Sequence, residues 1–300
     1  MFRENTPSAS EGCFHSFPAV DTLIPWYNLC VESLFSIFVF IFGALIGSFL
    51  NVIIFRMNTG KSALRGRSMC MNCGKSLHAH ELIPLISYTI QGGKCRGCNS
   101  KISVQYPLVE LITAIIFSAI FWKFAFLGLF TFSHLIHILY YFVISSILII
   151  IAVYDFRHKI VPDSLSCGLM ALTAINLFVS VSATGIILSL PETLTILSGP
   201  LLSLPFAILW VASGGRWMGL GDAKLALSLG WILGLSGGIS ALLLAFWSGG
   251  LVGIYLLLSK KKSVTMKSEL PFAPFLVFAT FLVLFFSIDL GTIAGWFTIQ

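Results

Sequence analysis

Asp222 stands between glycines and a long apolar stretch, in residues 216–225, which read RWMGLGDAKL. A carboxylate next to hydrocarbon is costly unless it pairs, faces a wet cavity or takes part in chemistry, so Asp222 is a candidate functional residue. Gly219 and Gly221 allow another part of the chain to approach this carboxylate closely. A helix N-cap and tight helix packing are structural alternatives that this segment alone leaves open.

A second carboxylate, Asp155, directly follows a long uncharged run and is itself followed by FRHKIVPD. A negative charge at the end of a helix opposes the macrodipole, so Asp155 needs either a salt bridge with Arg157 or Lys159 or a role in chemistry. Asp163 has instead the pattern of an N-cap. Glu110, near the start of another apolar run, is open between a helix-terminus acid and a site residue.

Two aspartates that face each other in a low-dielectric site do not both ionise readily. One can then deprotonate water for attack on a peptide carbonyl, while the other holds a proton that supports the oxyanion and later protonates the leaving amine. Asp155 and Asp222 are therefore predicted to hydrolyse peptides in the manner of an aspartic protease, provided that the fold brings them together.

Four cysteines occur as two C-x-x-C pairs separated by 21 residues: Cys70, Cys73, Cys95 and Cys98. Paired knuckles of nearly this spacing hold zinc in a tetrahedral thiolate site, and four protein ligands close the shell of a structural metal. Free thiols and two disulfides are the alternatives, and a reducing cytosol disfavours disulfides. His78 and His80 could substitute as ligands, but we expect them at the surface.

Composition indicates which elements position these residues. The chain of 300 residues is 57% hydrophobic and 10% charged, with a mean hydropathy of +0.95, which excludes a single soluble core. The sequence predicts an all-α polytopic membrane protein with about eight transmembrane helices and a small zinc-binding loop module. The predicted helices cover residues 33–55, 106–130, 133–154, 163–181, 192–211, 223–235, 239–258 and 271–288.

The predicted organisation has four parts: an N-terminal non-cytoplasmic segment, a first transmembrane helix, a cytoplasmic tetracysteine module, and a transmembrane core with both aspartates. Their bounds are 1–32, 33–55, 56–105 and 106–300. Most of the 18 Lys and Arg residues fall in loops on one side of an eight-helix topology, which makes that side cytoplasmic. Because these residues are spread over membrane loops, nucleic acid is not an expected partner.

The stretch Gly219–Asp222, followed by AKL, resembles the GxGD signature of intramembrane aspartic proteases in its prepilin-peptidase form, GxGDxKL. Asp155 matches the first catalytic aspartate of that family. Further similar stretches occur in the expected order, namely GALIGSFLNVIIFR, both C-x-x-C pairs, ELIPLISY, YPLVEL and LPFAPFL. The departures are Tyr154, Phe156 and Val161, where the family more often has Ile, Leu and Ile. Residues 1–32 lie outside the resemblance.

The resemblance to type IV prepilin peptidases implies a multi-pass enzyme of the bacterial inner membrane. It implies that Asp155 and Asp222 cut the leader from type IV prepilins or type II secretion pseudopilins, after a glycine and at the cytoplasmic face. The new N-terminal residue is then methylated, with S-adenosylmethionine as donor. Relatives that only cleave lack the cysteine module, so its presence favours the second activity. The donor-binding residues, the client and the oligomeric state stay unassigned.

Two other functions are left open by the residues. One is a leader peptidase without methyltransferase activity, in which the cysteine module is structural only. The other is a membrane protein that binds or transports metal without being an enzyme, in which the acids serve conduction or packing.

Overall fold

The structure, a computed structural model, describes residues 20–60, 62, 65–125, 132–182, 185–216, 218–258 and 270–297. Two compact units are distinguished, Met1–Phe38 and Val39–Gln300, and all side-chain contacts given below lie within the second. Residues 1–19 of the predicted N-terminal segment lie outside the described residues.

The described chain is mostly helical, which confirms the predicted all-α fold class. A short 3-10 helix, Ala79–Glu81, precedes α2, and two antiparallel strands, β1 (Val179–Ser182) and β2 (Gly185–Leu188), follow α5. The α-helices are α1 (Val20–Arg56), α2 (Ile86–Ile90), α3 (Gln105–Ala125), α4 (Phe132–His158), α5 (Asp163–Phe178), α6 (Thr193–Ser213), α7 (Leu220–Leu258), α8 (Ala273–Phe286) and α9 (Leu290–Phe297).

Among the described residues, five helices are long and apolar enough to cross a membrane, or six if the bent pair α8 and α9 forms one span. α7 has 39 residues, about 58 Å of helix against a hydrocarbon core of about 30 Å. Its backbone breaks at Gly234 (φ 71°, ψ 179°), close to the turn expected between residues 223–235 and 239–258. The two predicted helices are thus present without a loop between them, and the number of eight spans stays a prediction.

Several helix ends differ from the sequence-based prediction. α1 begins at Val20 rather than at residue 33, and α4 continues for three residues beyond Asp155, so that this aspartate lies within its last turn. The predicted helix 163–181 stops at Phe178 because the following VSVS and GIIL are rich in β-branched residues, which pair as β1 and β2.

Close helix packing in the second unit depends on small residues. A Cβ added to Gly43 of α1 would lie 2.8 Å from the Cα of Ala114 in α3, and one added to Gly47 would lie 2.7 Å from the Cα of Glu110. These two glycines therefore allow α1 and α3 to pack closely. Asn51 fastens the same two helices, since its amide donates to the carbonyl of Tyr106 over 3.1 Å.

α6 and the first half of α7 also pack through small residues. A Cβ on Gly230 would lie 2.6 Å from the carbonyl oxygen of Ser198, and the Ser198 hydroxyl donates to the carbonyl of Gly230 over 2.9 Å. The indole of Trp231 donates to the carbonyl of Ile196 over 3.0 Å. These contacts fix the helix segment that begins next to Asp222.

Candidate active site and metal centre

Asp155 is buried, with 5% of the residue exposed, in the last turn of α4. The backbone N–H of Ala273, the first residue of α8, donates to its Oδ2 over 3.2 Å. The first N–H groups of a helix lack intrahelical partners, so a carboxylate placed there satisfies one of them and meets the positive end of the helix dipole. The N-terminus of α8 therefore compensates the negative charge of Asp155. No ion pair joins it to Arg157 or Lys159 in the described structure, so the salt-bridge alternative is wrong.

Asp222 is half-buried in the first turn of α7, two residues after the helix begins at Leu220. It is therefore not the N-cap residue, which corrects that alternative, although an acid in the first turn still suits the helix dipole. Gly221 packs against the connection that follows α4: a Cβ added to it would lie 2.6 Å from the Cβ of Val161. Only glycine permits this approach without displacement of one segment.

An ion pair makes a second contact between the same two segments. Lys224 Nζ in α7 lies 2.6 Å from Oδ1 of Asp163, the first residue of α5. The N-cap of α5 is Pro162, and no side chain caps it, so the predicted capping role of Asp163 is wrong. Asp163 instead joins the start of α5 to the start of α7.

The two aspartates both lie near the start of α8. The start of α8 contacts both neighbourhoods: Ala273 hydrogen-bonds Asp155, and Phe272 packs against the cluster of Phe206, Ala223 and Ala226. Three elements distant in sequence thus surround the carboxyl pair. Such a pair, partly withdrawn from solvent, suits the sharing of one proton between two acids.

The four predicted metal ligands come together in the loop module. One ligand atom from each of Cys70, Cys73, Cys95 and Cys98 lies within 4.8 Å of the others. The Sγ atoms of Cys70 and Cys98 are 3.9 Å apart, and a tetrahedral zinc ion with Zn–S bonds of about 2.3 Å requires about 3.8 Å. The residues therefore fit a tetrahedral thiolate metal site.

Two similar turns present these thiols. The N–H of Gly74 donates to the carbonyl of Cys70, and the N–H of Asn99 donates to that of Cys95, each over 2.9 Å. Isolated bridges close both turns, Met69 with Ser76 and Lys94 with Lys101. Each C-x-x-C pair is thus held by a local backbone turn, which is why the spacing alone predicts the cluster.

The four thiols do not ionise equally readily, because their pKa values differ. The backbone N–H of Cys73 lowers the pKa of Cys70, and the hydroxyl of Ser100 lowers the pKa of Cys98 to about 6. The pKa of Cys73, although the N–H of Lys75 lowers it, is raised to about 11 by hydrogen bonding to Cys98. Four sulfurs at these distances need a cation before all can ionise, which agrees with a metal site.

His78 and His80 do not belong to the cysteine cluster; their rings stack on each other with centroids 5.6 Å apart. The carboxylate of Glu81 accepts from the N–H of His78 over 2.9 Å and pairs with Lys75 over 3.2 Å. These contacts brace the segment between the two turns. Both histidines are exposed, as expected from the sequence.

Glu110 fastens the module to the helices. Its Oε2 accepts from the backbone N–H of Leu85 over 2.8 Å, and the residue is only 7% exposed. Sequence reasoning left its role open, because nothing in the sequence shows that a loop residue 25 positions earlier lies against it. The contacts of Ala273 and Val161 were missed for the same reason, and the charged residues of the Lys224–Asp163 pair carried no signal of their pairing.

Fold and site together define a polytopic membrane protein with two aspartates near the start of α8 and a tetracysteine cluster. Residues 41–124 match the bacterial peptidase A24 N-terminal domain, and residues 142–254 match the type IV leader peptidase family. The chain belongs to the type IV leader peptidase family.

Several curated relatives carry the name prepilin leader peptidase/N-methyltransferase. That of Myxococcus xanthus is 34% identical over 236 residues, which cover 75% of this chain and 64% of the relative. That of Bacillus subtilis is 31% identical over 235 residues, 78% of this chain and 88% of the relative. That of Pseudomonas aeruginosa is 30% identical, with 81% of this chain and 87% of the relative covered. No solved structure matches the chain.

Proposed function

We propose that this chain removes the leader peptide from type IV prepilins, or from the pseudopilins of type II secretion, and then N-methylates the new N-terminal residue. The names of its relatives support both activities. The observation that carries the peptidase activity is the position of both aspartates at the start of α8: the N–H of Ala273 holds Asp155, and Phe272 packs against Ala223, the residue after Asp222. Both aspartates belong to helices long and apolar enough to cross a membrane, which supports an intramembrane active site.

In the proposed mechanism, one aspartate accepts a proton from water, which attacks the scissile carbonyl, while the other donates a proton to the forming oxyanion. The roles then reverse to protonate the leaving amine. Ala273 holds Oδ2 of Asp155, which leaves Oδ1 for the water. Gly219, where an added Cβ would meet only the backbone N of Gly221 at 3.9 Å, allows an extended substrate backbone to approach Asp222.

We propose zinc as the ion of the tetracysteine site, because four thiolates in a closed shell suit a structural zinc ion and leave no position for substrate. The module is proposed to span residues 56–105 on the cytoplasmic side, and the transmembrane peptidase core residues 106–300. The excess of Lys and Arg in the module supports this orientation. S-adenosylmethionine, implied by the relatives' name, supplies the methyl group.

The test uses the purified full chain in lipid nanodiscs with a prepilin peptide and S-adenosylmethionine. Mass spectrometry should show loss of the leader and gain of one methyl group. Asp155→Asn and Asp222→Asn should each lower the cleavage rate by a factor on the order of 10² to 10⁴, because each removes one proton-transfer group. Asp289→Asn is the matched control, since Asp289 is exposed and its carboxylate binds Thr292.

Near-normal cleavage by either site variant, with helix content and insertion unchanged, would disprove the dyad. Leader loss without methylation in the presence of donor would restrict the enzyme to peptidase activity. Ion flux without any cleavage would favour the transport alternative.

A further inference from the structure

Three isoleucines in the loop module are exposed together. Ile83, Ile86 and Ile90 are 45%, 54% and 69% exposed, and we call them the isoleucine face. The N–H of Ser87 donates to the carbonyl of Ile83 over 3.0 Å, which holds Ile83 next to the start of α2. Ile86 and Ile90, four positions apart in α2, lie on the same side of that helix.

The isoleucine face lies beside the beginning of a membrane span. Leu85, within this segment, donates its N–H to Glu110, which follows the first residue of α3 by five positions, or about 7.5 Å along the axis. Glu110 in turn contacts Gly47 of α1. The segment is therefore fixed next to the first turns of a helix that is long and apolar enough to cross a membrane.

Backbone strain at Leu85 shows that surrounding contacts hold this segment in place. Leu85 has φ 61° and ψ −49°, and the N–H of Ile86 donates to the carbonyl of Pro84 over 2.6 Å. This is a γ-turn of the rare form with positive φ, which is strained for a residue with a side chain. Such a conformation persists only where the surrounding structure determines it, and here the bond to Glu110 does so.

Charge around the isoleucine face favours anionic lipid. Glu81 is the only acidic residue between positions 57 and 105, and its carboxylate is paired with Lys75. Lys94, Arg96 and Lys101, in the turn that follows α2, are exposed. Exposed cations next to a membrane span attract anionic headgroups, while the isoleucines gain from withdrawal from water.

We propose that the isoleucine face is a lipid-binding surface, seated at the boundary between headgroups and acyl chains of anionic phospholipid, and that it holds the metal module against the membrane. Glu110 positions it from within α3. This inference depends on the membrane-spanning fold and not on the catalytic proposal, so either can fail without the other.

The test places an environment-sensitive fluorescent amino acid at position 90, 86 or 71 of the full chain, in nanodiscs whose phospholipids carry bromine at the top of the acyl chain. Met71 is the matched control, because it is 73% exposed but lies in the first cysteine turn. We expect quenching at positions 90 and 86 several times that at position 71. Quenching should be weaker in phosphatidylcholine than in discs that contain phosphatidylglycerol. Unchanged metal content would show that each variant is folded.

Equal quenching at positions 90 and 71 would overturn the proposal. A second result would also overturn it. If lipid does not quench a probe at position 90, but a prepilin peptide shields that probe from a water-soluble quencher, the isoleucine face binds substrate. Shielding that rises with protein concentration would assign the face to a second copy of the chain. Equal quenching in neutral and anionic discs would disprove the contribution of the headgroups.

Discussion

The tetracysteine cluster and the aspartate pair are built in opposite ways. All four thiols come from two short turns within 29 residues of chain, and local hydrogen bonds shape each turn. Asp155 and Asp222 are 67 positions apart, and each depends on a segment from elsewhere, namely the start of α8 for Asp155 and Val161 for Gly221 beside Asp222. The first site needs local structure and an ion, whereas the second needs the packed helices.

This difference indicates which changes each site should tolerate. Loss of ligands in the module should abolish its metal and leave the membrane helices in place, because the contact of Glu110 with Leu85 that fastens the module does not involve the cysteines. A small displacement at the aspartate pair should lower activity steeply with metal unchanged, because a catalytic geometry is sensitive to shifts of about 1 Å. The experiments below measure metal content and cleavage together to separate the two sites.

Removal of two ligands should have the largest effect. Cys70→Ser combined with Cys73→Ser leaves two thiolates, so bound metal should fall from about one ion per chain to nearly none, as measured by elemental analysis. Methylation should decrease more than cleavage, because the aspartates and their supporting helices are unchanged. Cys167→Ser is the matched control, since Cys167 is an exposed cysteine of α5 outside the cluster.

Retention of metal by the double variant would show that the cysteines do not bind it. An equal loss of cleavage and methylation, with helix content preserved, would contradict the independence of the two sites.

A substitution that displaces the start of α7 should have the second-largest effect. In Gly221→Ala, the new Cβ would lie 2.6 Å from that of Val161, so one segment must move. We expect a loss of cleavage on the order of 10²-fold, with metal content unchanged. Gly250→Ala in the same helix is the matched control, because a Cβ at Gly250 meets nothing within 4 Å.

A second substitution tests whether the contact itself is responsible. Val161→Gly removes the opposing Cβ, so the double variant should recover part of the activity that Gly221→Ala loses. If the double variant is no better than the single one, contact with Val161 is not the reason that glycine is needed at this position.

The contrast between the sites also explains how far the sequence predicts this molecule. Cys70, Cys73, Cys95 and Cys98 follow from spacing because neighbouring residues form each turn. Long apolar runs predict the helices for a similar reason, although the early start of α1 and the strands after α5 were missed. The motif around Asp222 identifies an acid, but no local pattern shows that Ala273 donates to Asp155. Contacts of this kind depend on how distant helices pack.

The smallest expected effect concerns the ion pair between Lys224 and Asp163. Its side chains are 26% and 76% exposed, so water screens the attraction, and exposed pairs contribute at most about 1 kcal/mol. Lys224→Met and Asp163→Asn should each lower cleavage by about twofold to fivefold, and the double variant should be no worse than either one, because the first substitution already removes the interaction. Independent, multiplicative losses would show that the residues act separately. A loss as large as that of Gly221→Ala would mean that the pair, and not the glycine contact, chiefly positions α7 against the segment after α4.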